Sequence, residues 1–241
     1  MTGPLVEGAG VALAYEQAGE GPAVVLVAGL AGRGPLPTIP GARVIAYDRR
    51  GHGASGEPEA YARTTVAEQA QDLAALLVGL GAAPAVLVGE GLGALIALDL
   101  ARREPPLVAG IVAVDAPLLA FVPAGSEVLA AEREELEGDL RAGGPAAAVR
   151  AHLTGRGVDP ARAERVAARP RAFFADYGAQ ATLEATRREL RALRVPLVVV
   201  DSAGAPAHLR EAGDALAGVV PGATRAPAGD PARAARELLG T

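Results

Sequence analysis

Short, mainly apolar runs punctuate this chain, and each ends at a glycine or a polar residue: Ala23 to Ala28 (AVVLVA), Arg43 to Asp48 (RVIAYD), Ala85 to Val88, Leu107 to Val114 and Val195 to Val200. A strand without polar alternation has no face to offer water, so it must be covered on both sides, as in a parallel sheet. Helical stretches separate the runs. Thr64 or Thr65 can cap a helix reaching about Leu80, and Glu68 completes a capping box with Thr65. Val66, Leu73, Leu76, Leu77 and Leu80 form its apolar face. A second helix is predicted from about Leu92 to Arg103, a third around Leu209 to Leu216, and a last one from Pro231 to Leu239, with a weak strand near Ala223. Two short strands, Pro4 to Glu7 and Val11 to Gln17, precede the first run and join around Gly8 and Gly10. Alternation of this kind predicts an α/β fold with a doubly wound, mostly parallel sheet.

Between Ala116 and about Leu193 the strand-like runs stop, and Arg/Glu/Ala-rich helical sequence replaces them. We expect residues 1–115 and 194–241 to form one core and residues 116–193 a helical insertion, by position a lid. Half of the residues are hydrophobic but only 3% are aromatic, so the core must be built from Ala, Val and Leu. Every basic residue is Arg, the bias of a GC-rich coding sequence. The net charge of −5 argues against nucleic acid or an anionic membrane as partner. No cysteine is present, which excludes disulfides and thiolate chemistry, and no His/Asp/Glu spacing reads as a metal site. The first thirty residues lack a basic segment of the signal-peptide kind, and no apolar run approaches the roughly 20 residues of a membrane span. The expected location is the cytoplasm, with no cofactor and an oligomeric state left open.

Chemistry concentrates where Ala85 to Leu98 (AVLVGEGLGALIAL) passes from strand to helix through Gly89-Glu90-Gly91-Leu92-Gly93. This is the setting of a G-x-S-x-G nucleophile elbow, but its centre is Gly91, which has no side chain to attack a carbonyl. The chain resembles α/β-hydrolase-fold proteins of the lid-bearing, esterase and epoxide-hydrolase-like kind. VVLVAGLAG (Val24 to Gly32) is similar to the family's oxyanion strand and loop, with Ala28 in place of the usual His and Gly29 kept. YDRRGHGASGEP (Tyr47 to Pro58) resembles the D-x-R-G-x-G-x-S loop. RVPLVVVDSAGAP (Arg194 to Pro206) and PGATRAPAGDP (Pro221 to Pro231) resemble the segments that carry the triad acid and histidine. The resemblance puts the nucleophile, acid and base positions at Gly91, Ala205 and Asp230, so all three are vacated. It also implies that an oxyanion hole made of main-chain N–H groups falls at Leu30 and Leu92, where side-chain loss does not touch it. Leu92 opens a helix, whose dipole favours anions.

Each remaining candidate has two readings. Glu90 is a structural residue beneath the elbow or a pocket acid. Asp115, ending a core strand, is a loop cap or an acid placed where open α/β sheets bind ligands. His52 is a loop-packing residue bonded to backbone or a member of the site, His152 a lid-surface residue, and His208 a solvent-facing residue or a displaced base. Asp201 and Ser202 line the site or hold a turn. Asp230 before Pro231 suits a helix cap. Arg49 and Arg50 tie loops together, and no base pairs evidently with Ser55, Ser126 or Ser202. Leu119, Phe121, Phe173, Phe174 and Tyr177 flank or lie within the insertion. They either pack it or line an apolar pocket between it and the elbow, with polar character near Glu90, Asp115 and the Leu30 and Leu92 amides.

The leading functional expectation is a non-hydrolytic pathway enzyme (a cyclase, isomerase or lyase) acting on an apolar small molecule by positioning and oxyanion stabilisation, with Asp115 or Glu90 as general base. The alternatives are a non-catalytic ligand receptor or scaffold, and a hydrolase with relocated residues.

Overall fold

The structure is a computed structural model that describes residues 3–59, 61–226 and 228–240. Pro227, within the segment resembling the family's histidine loop, lies outside the described residues. Among those described, eight strands form one sheet: β1 (Leu5–Glu7), β2 (Ala12–Ala18), β3 (Ala23–Val27), β4 (Arg43–Tyr47), β5 (Ala85–Glu90), β6 (Val108–Val114), β7 (Leu197–Val200) and β8 (Thr224–Ala226). Their order is β1-β2-β4-β3-β5-β6-β7-β8. The first two pairings are antiparallel and the rest parallel. The apolar runs are the parallel strands, and their burial explains the absence of alternation. Val25, Val27, Ile45, Leu87, Ile111 and Val199 face one core. Their neighbours Val24, Val44, Val86, Val112 and Val200 face another.

The first core is closed by α1 (Val66–Gly79), α2 (Leu92–Arg103) and α7 (Ala207–Val219), and the second by α8 (Pro231–Leu239). α1 begins with the expected capping box of Thr65 and Glu68. Its Leu73, Leu76 and Leu77 are fully buried, each contributing about 1.5–3 kcal/mol of transfer free energy. A 3₁₀ turn over Pro105–Leu107 makes β6 start at Val108 rather than Leu107, because two consecutive prolines remove the backbone donors a strand needs. β8 lies just beyond the expected Ala223, and α7 is longer than its apolar stripe suggested.

Between β6 and β7 the described chain is helical: α3 (Gly125–Gly155), α4 (Pro160–Ala167), α5 (Pro170–Ala179) and α6 (Arg187–Arg191). α3 is two helices meeting at Gly144, whose φ of 75° breaks the regular turn just before Pro145. This insertion has a core of its own. Leu136, Val149, Leu153, Val166 and Phe173 are buried together, and Ala31 from the loop after β3 completes the cluster. The insertion therefore rests on the loop that carries Leu30.

Candidate functional site

β5 delivers the chain to Gly91, and α2 leaves from it. Gly91 adopts φ 53° and ψ −118°, a region that strains any residue with a Cβ. Gly93 is required for a different reason: a side chain there would overlap the Val27 carbonyl, so glycine lets α2 press directly on β3. Space opens beside Gly91, where the nearest atom to a Cβ would be Gly29 Cα at 4.0 Å. The Gly91 N–H donates to Val114 O at 2.9 Å, which sets the elbow against the end of β6. Among the described residues the N–H groups of Leu30 and Leu92 have no protein acceptor. The Leu92 side chain is buried, whereas Leu30 is half-buried and packs against both the main core and the insertion.

Asp115 follows β6 with φ 48°, an uncommon backbone for a residue other than glycine. Its Oδ1 accepts the Ser202 N–H at 3.0 Å and so caps the chain leaving β7. Asp201 is buried and gripped by both forks of Arg225, each at 2.9 Å. Ala205 is buried in the following loop. Asp230 caps α8, accepting the Ala232 N–H at 2.9 Å with Pro231 in the first turn. These contacts occupy the acids where the strands end.

Several candidates sit elsewhere than the sequence suggested. Glu90 is not beneath the elbow. Its side chain is 53% exposed and points toward the insertion, with Oε2 3.6 Å from Arg162 Nη2. Arg162, on α4, donates from Nε to Ala31 O at 3.0 Å and from Nη2 to Gly32 O. Its guanidinium thus spans the insertion and the Leu30 loop, a placement that a lone arginine in an Arg-rich helix does not signal. His152 is not on the surface. It is buried, with its ring 5.3 Å from Phe173 and 5.7 Å from Tyr177, both edge-on. Burial, with Arg156 nearby, pushes its pKa down to about 4, so it is neutral at pH 7. His208 is partly buried and faces Glu132 of α3 at 3.9 Å rather than solvent. Ser55 is a buried brace whose Oγ accepts the Ala14 N–H and donates to Asp48 O. Ser126 and Ser202 are exposed.

His52 also differs from its expected backbone contact: its Nε2 lies 2.6 Å from Asp176 Oδ2. Asp176 belongs to α5 and is fully buried. It receives Arg49 Nη1 at 2.6 Å and Gln69 Nε2 at 2.8 Å as well. Burial pushes the Asp176 carboxyl up, but Arg49 and His52 outweigh it and hold the group below the usual carboxylate range. Arg50 makes a parallel tie to Asp72, using Nε at 2.6 Å and Nη2 at 2.9 Å. Asp176 was legible only as a single acid among the aromatics of PRAFFADYGA, a pattern that asks for a buried cation without saying which.

Phe173 and Tyr177 pack with His152 inside the insertion, and Phe121 lies under the Arg187 guanidinium at 4.5 Å. Two open surface clefts lie elsewhere. One, of about 340 Å³, is bordered by Thr65, Asp99, Arg103 and Glu184. The other, of about 490 Å³, runs from Arg63 and Glu68 to Phe174 and Gly178. Neither is lined by Gly29, Leu30, Gly91, Leu92, Phe121, Phe173 or Tyr177, so the expected apolar pocket is not among them. Aromatic scarcity explains the difference, because a helical insertion built largely on alanine needs its few large rings to fill its own core. Among the described residues no group of three or more potential ligands is placed to hold a metal ion, and no helix is long and apolar enough to cross a membrane.

Comparison with known proteins follows the same outline. A family model described as alpha/beta hydrolase fold matches residues 22–138. A 2-(acetamidomethylene)succinate hydrolase from Mesorhizobium japonicum is 35% identical over 163 residues, covering 63% of this chain and 55% of that protein. Epoxide hydrolase A from Mycobacterium tuberculosis is 34% identical over 124 residues, 48% of this chain and 38% of that one. The chain spans between 37% and 42% of the length of other leading curated relatives. In structure, an alpha/beta hydrolase from Sphaerobacter thermophilus superposes with a TM-score of 0.72 at 23% identity, covering 98% of this chain and 99% of that one.

Proposed function

Because this chain is a protein of the α/β hydrolase fold, we propose that it works without serine-hydrolase chemistry and binds a small molecule by a carbonyl or carboxylate group at the Gly91 elbow. One observation carries the reading. The position from which a nucleophile side chain would project is a glycine with open space beside it, flanked by two N–H groups, of Leu30 and Leu92, that no protein acceptor occupies among the described residues. A free amide at a helix N-terminus, as at Leu92, stabilises negative charge whether or not a covalent step follows, and the Leu30 amide in the facing loop adds a second donor. The vacated positions Gly91, Ala205 and Asp230 remove the unit that a Ser–His–acid mechanism needs, since each member acts only through the others. The relatives named as hydrolases support the scaffold, and the reaction is read from this chain's own elbow. In this reading residues 116–193 act as a lid over the elbow. No cofactor is invoked, and the acidic, cysteine-free composition supports a cytoplasmic location.

The test has two arms. A fluorophosphonate probe and p-nitrophenyl acetate should produce neither labelling nor turnover, and stoichiometric labelling of Ser55, Ser126 or Ser202 would overturn the reading. Titration with a short carboxylate such as butyrate, followed by NMR, should move the Leu30 and Leu92 amide resonances saturably. Unmoved amides at saturating butyrate would likewise reject the site. Asp115 supports a second reading, an enzyme without a covalent intermediate. Its strained φ at the strand end beside the elbow is the kind of backbone that persists where function needs it. Under that reading Asp115→Asn abolishes turnover of the native substrate while the butyrate titration stays as in wild type. Under the binding reading the titration likewise stays as in wild type, and there is no turnover to lose.

A further inference from the structure

One guanidinium joins the insertion to the elbow. Arg49 is buried, donates Nη1 to Asp176 of α5 and to Gln69 Oε1 of α1 (2.7 Å), and donates Nη2 to Gly29 O at 2.9 Å. Gly29 O is not an arbitrary acceptor. It lies on the same peptide unit as the Leu30 N–H, and that unit is trans. A trans peptide is planar, so its carbonyl and its N–H point in opposite directions and turn only together. Gly29 O also accepts the Gly32 N–H at 3.0 Å in a local turn, so Arg49 is the long-range one of its two donors. Holding Gly29 O from both sides sets the direction of the Leu30 N–H, and a charged donor on the carbonyl also polarises the peptide and strengthens that N–H as a donor. Gly29 adjoins the elbow, its Cα being the nearest atom to the open side of Gly91.

We infer that Arg49 is a positioning residue for the elbow and that Asp176 sets its orientation, so that docking of the insertion and the aim of the Leu30 N–H are one coupled event. The inference rests on the reading of that N–H as a ligand donor. Three features support it beyond ordinary loop bracing. Asp176, the carboxylate of this network, comes from the insertion and is wholly buried against the core loop. The two bonds of Arg49 that matter here use different terminal nitrogens, so one rigid plane transmits the position of Asp176 to Gly29 O. The neighbouring Arg50–Asp72 pair has similar chemistry and burial but reaches Ala9 O, touching neither the insertion nor Gly29. It is thus a built-in control for the loss of a buried ion pair.

The test reads the amide itself, without a ligand. In the ¹⁵N-labelled 241-residue chain, Asp176→Asn and Arg49→Lys should displace the Leu30 amide resonance and change its nuclear Overhauser contacts as the 29–30 peptide turns. Lysine keeps the charge but cannot span two separated acceptors on a rigid fork. Asp72→Asn should leave Leu30 where it is in wild type. If Asp176→Asn fails to fold, Arg49→Lys with the Asp72→Asn control decides the question alone. An unmoved Leu30 amide in folded Arg49→Lys, or an equal displacement in Asp72→Asn, overturns the coupling. Because no ligand enters the measurement, its failure is separate from failure of butyrate to bind.

Discussion

Replacing Asp176 with Asn, nearly isosteric, asks how much the buried network stabilises the fold. In the wild type the carboxylate accepts from Arg49, His52 and Gln69 at 2.6, 2.6 and 2.8 Å. Bonds to a charged partner are worth about 1.5–3 kcal/mol each, so the gross interaction is large, but desolvating both ions consumes most of it. Asparagine keeps one acceptor oxygen and leaves the Arg49 charge buried without its counter-ion. Breaking a buried pair in this way costs about 3–5 kcal/mol. For a chain of this size each kcal/mol lowers Tm by about 2–4 °C, so the variant should melt roughly 6–20 °C below wild type. Thermal unfolding at pH 7, followed by circular dichroism, measures that shift, and urea unfolding measures the loss in free energy. The pH dependence supplies a second check. The folded pKa of Asp176 is lowered, so its contribution is complete above the unfolded carboxyl value of about 4 and is lost as pH falls through the folded value. The gap between wild type and variant should stay flat from about pH 5 to 8 and narrow below about pH 4. A loss under about 1 kcal/mol, or a gap unchanged in acid, would refute the account of Asp176 as the ionised centre of the network.

On the proposed reading, in which the base position falls at Asp230, Gly91→Ser should not confer esterase activity; burst kinetics in the single variant would contradict this reading. His152 is held neutral with a pKa near 4, below its unfolded value of about 6.5, so the unfolded chain binds the extra proton between those limits. Stability should therefore fall as pH drops from about 6.5 to 4, by at most about 1.4 kcal/mol per unit, and urea midpoints of His152→Phe should lose this dependence if the side chain fits. Asp230→Ala removes the cap of α8 and should cost about 1 kcal/mol in chemical denaturation, with no effect on butyrate titration at the elbow.

Periodicity and composition were enough to determine the layering of this protein. AVVLVA and VPLVVV have no polar face, so they had to be inner strands, and Val24 and Val25 duly point into opposite cores. The Thr65–Glu68 box, the Asp230 cap and the glycine elbow were legible because caps and tight turns are local: the partner lies within a few residues. Whatever depends on partners distant in sequence was not legible. His52 and Asp176 are 124 residues apart, and Arg162 and Ala31 are 131 apart. Nothing in the local pattern of RRGHG or PARAERVA says that one meets a buried carboxylate and the other two carbonyls. The same holds for His152, which reads as a helix-surface residue until the kink at Gly144 and the rings of Phe173 and Tyr177 enclose it. Local sequence specifies which backbone groups need a partner. Only the tertiary structure, by closing the insertion over the loop after β3, decides which distant side chain answers, because a buried charge must be met by whatever counter-charge the packing brings within reach.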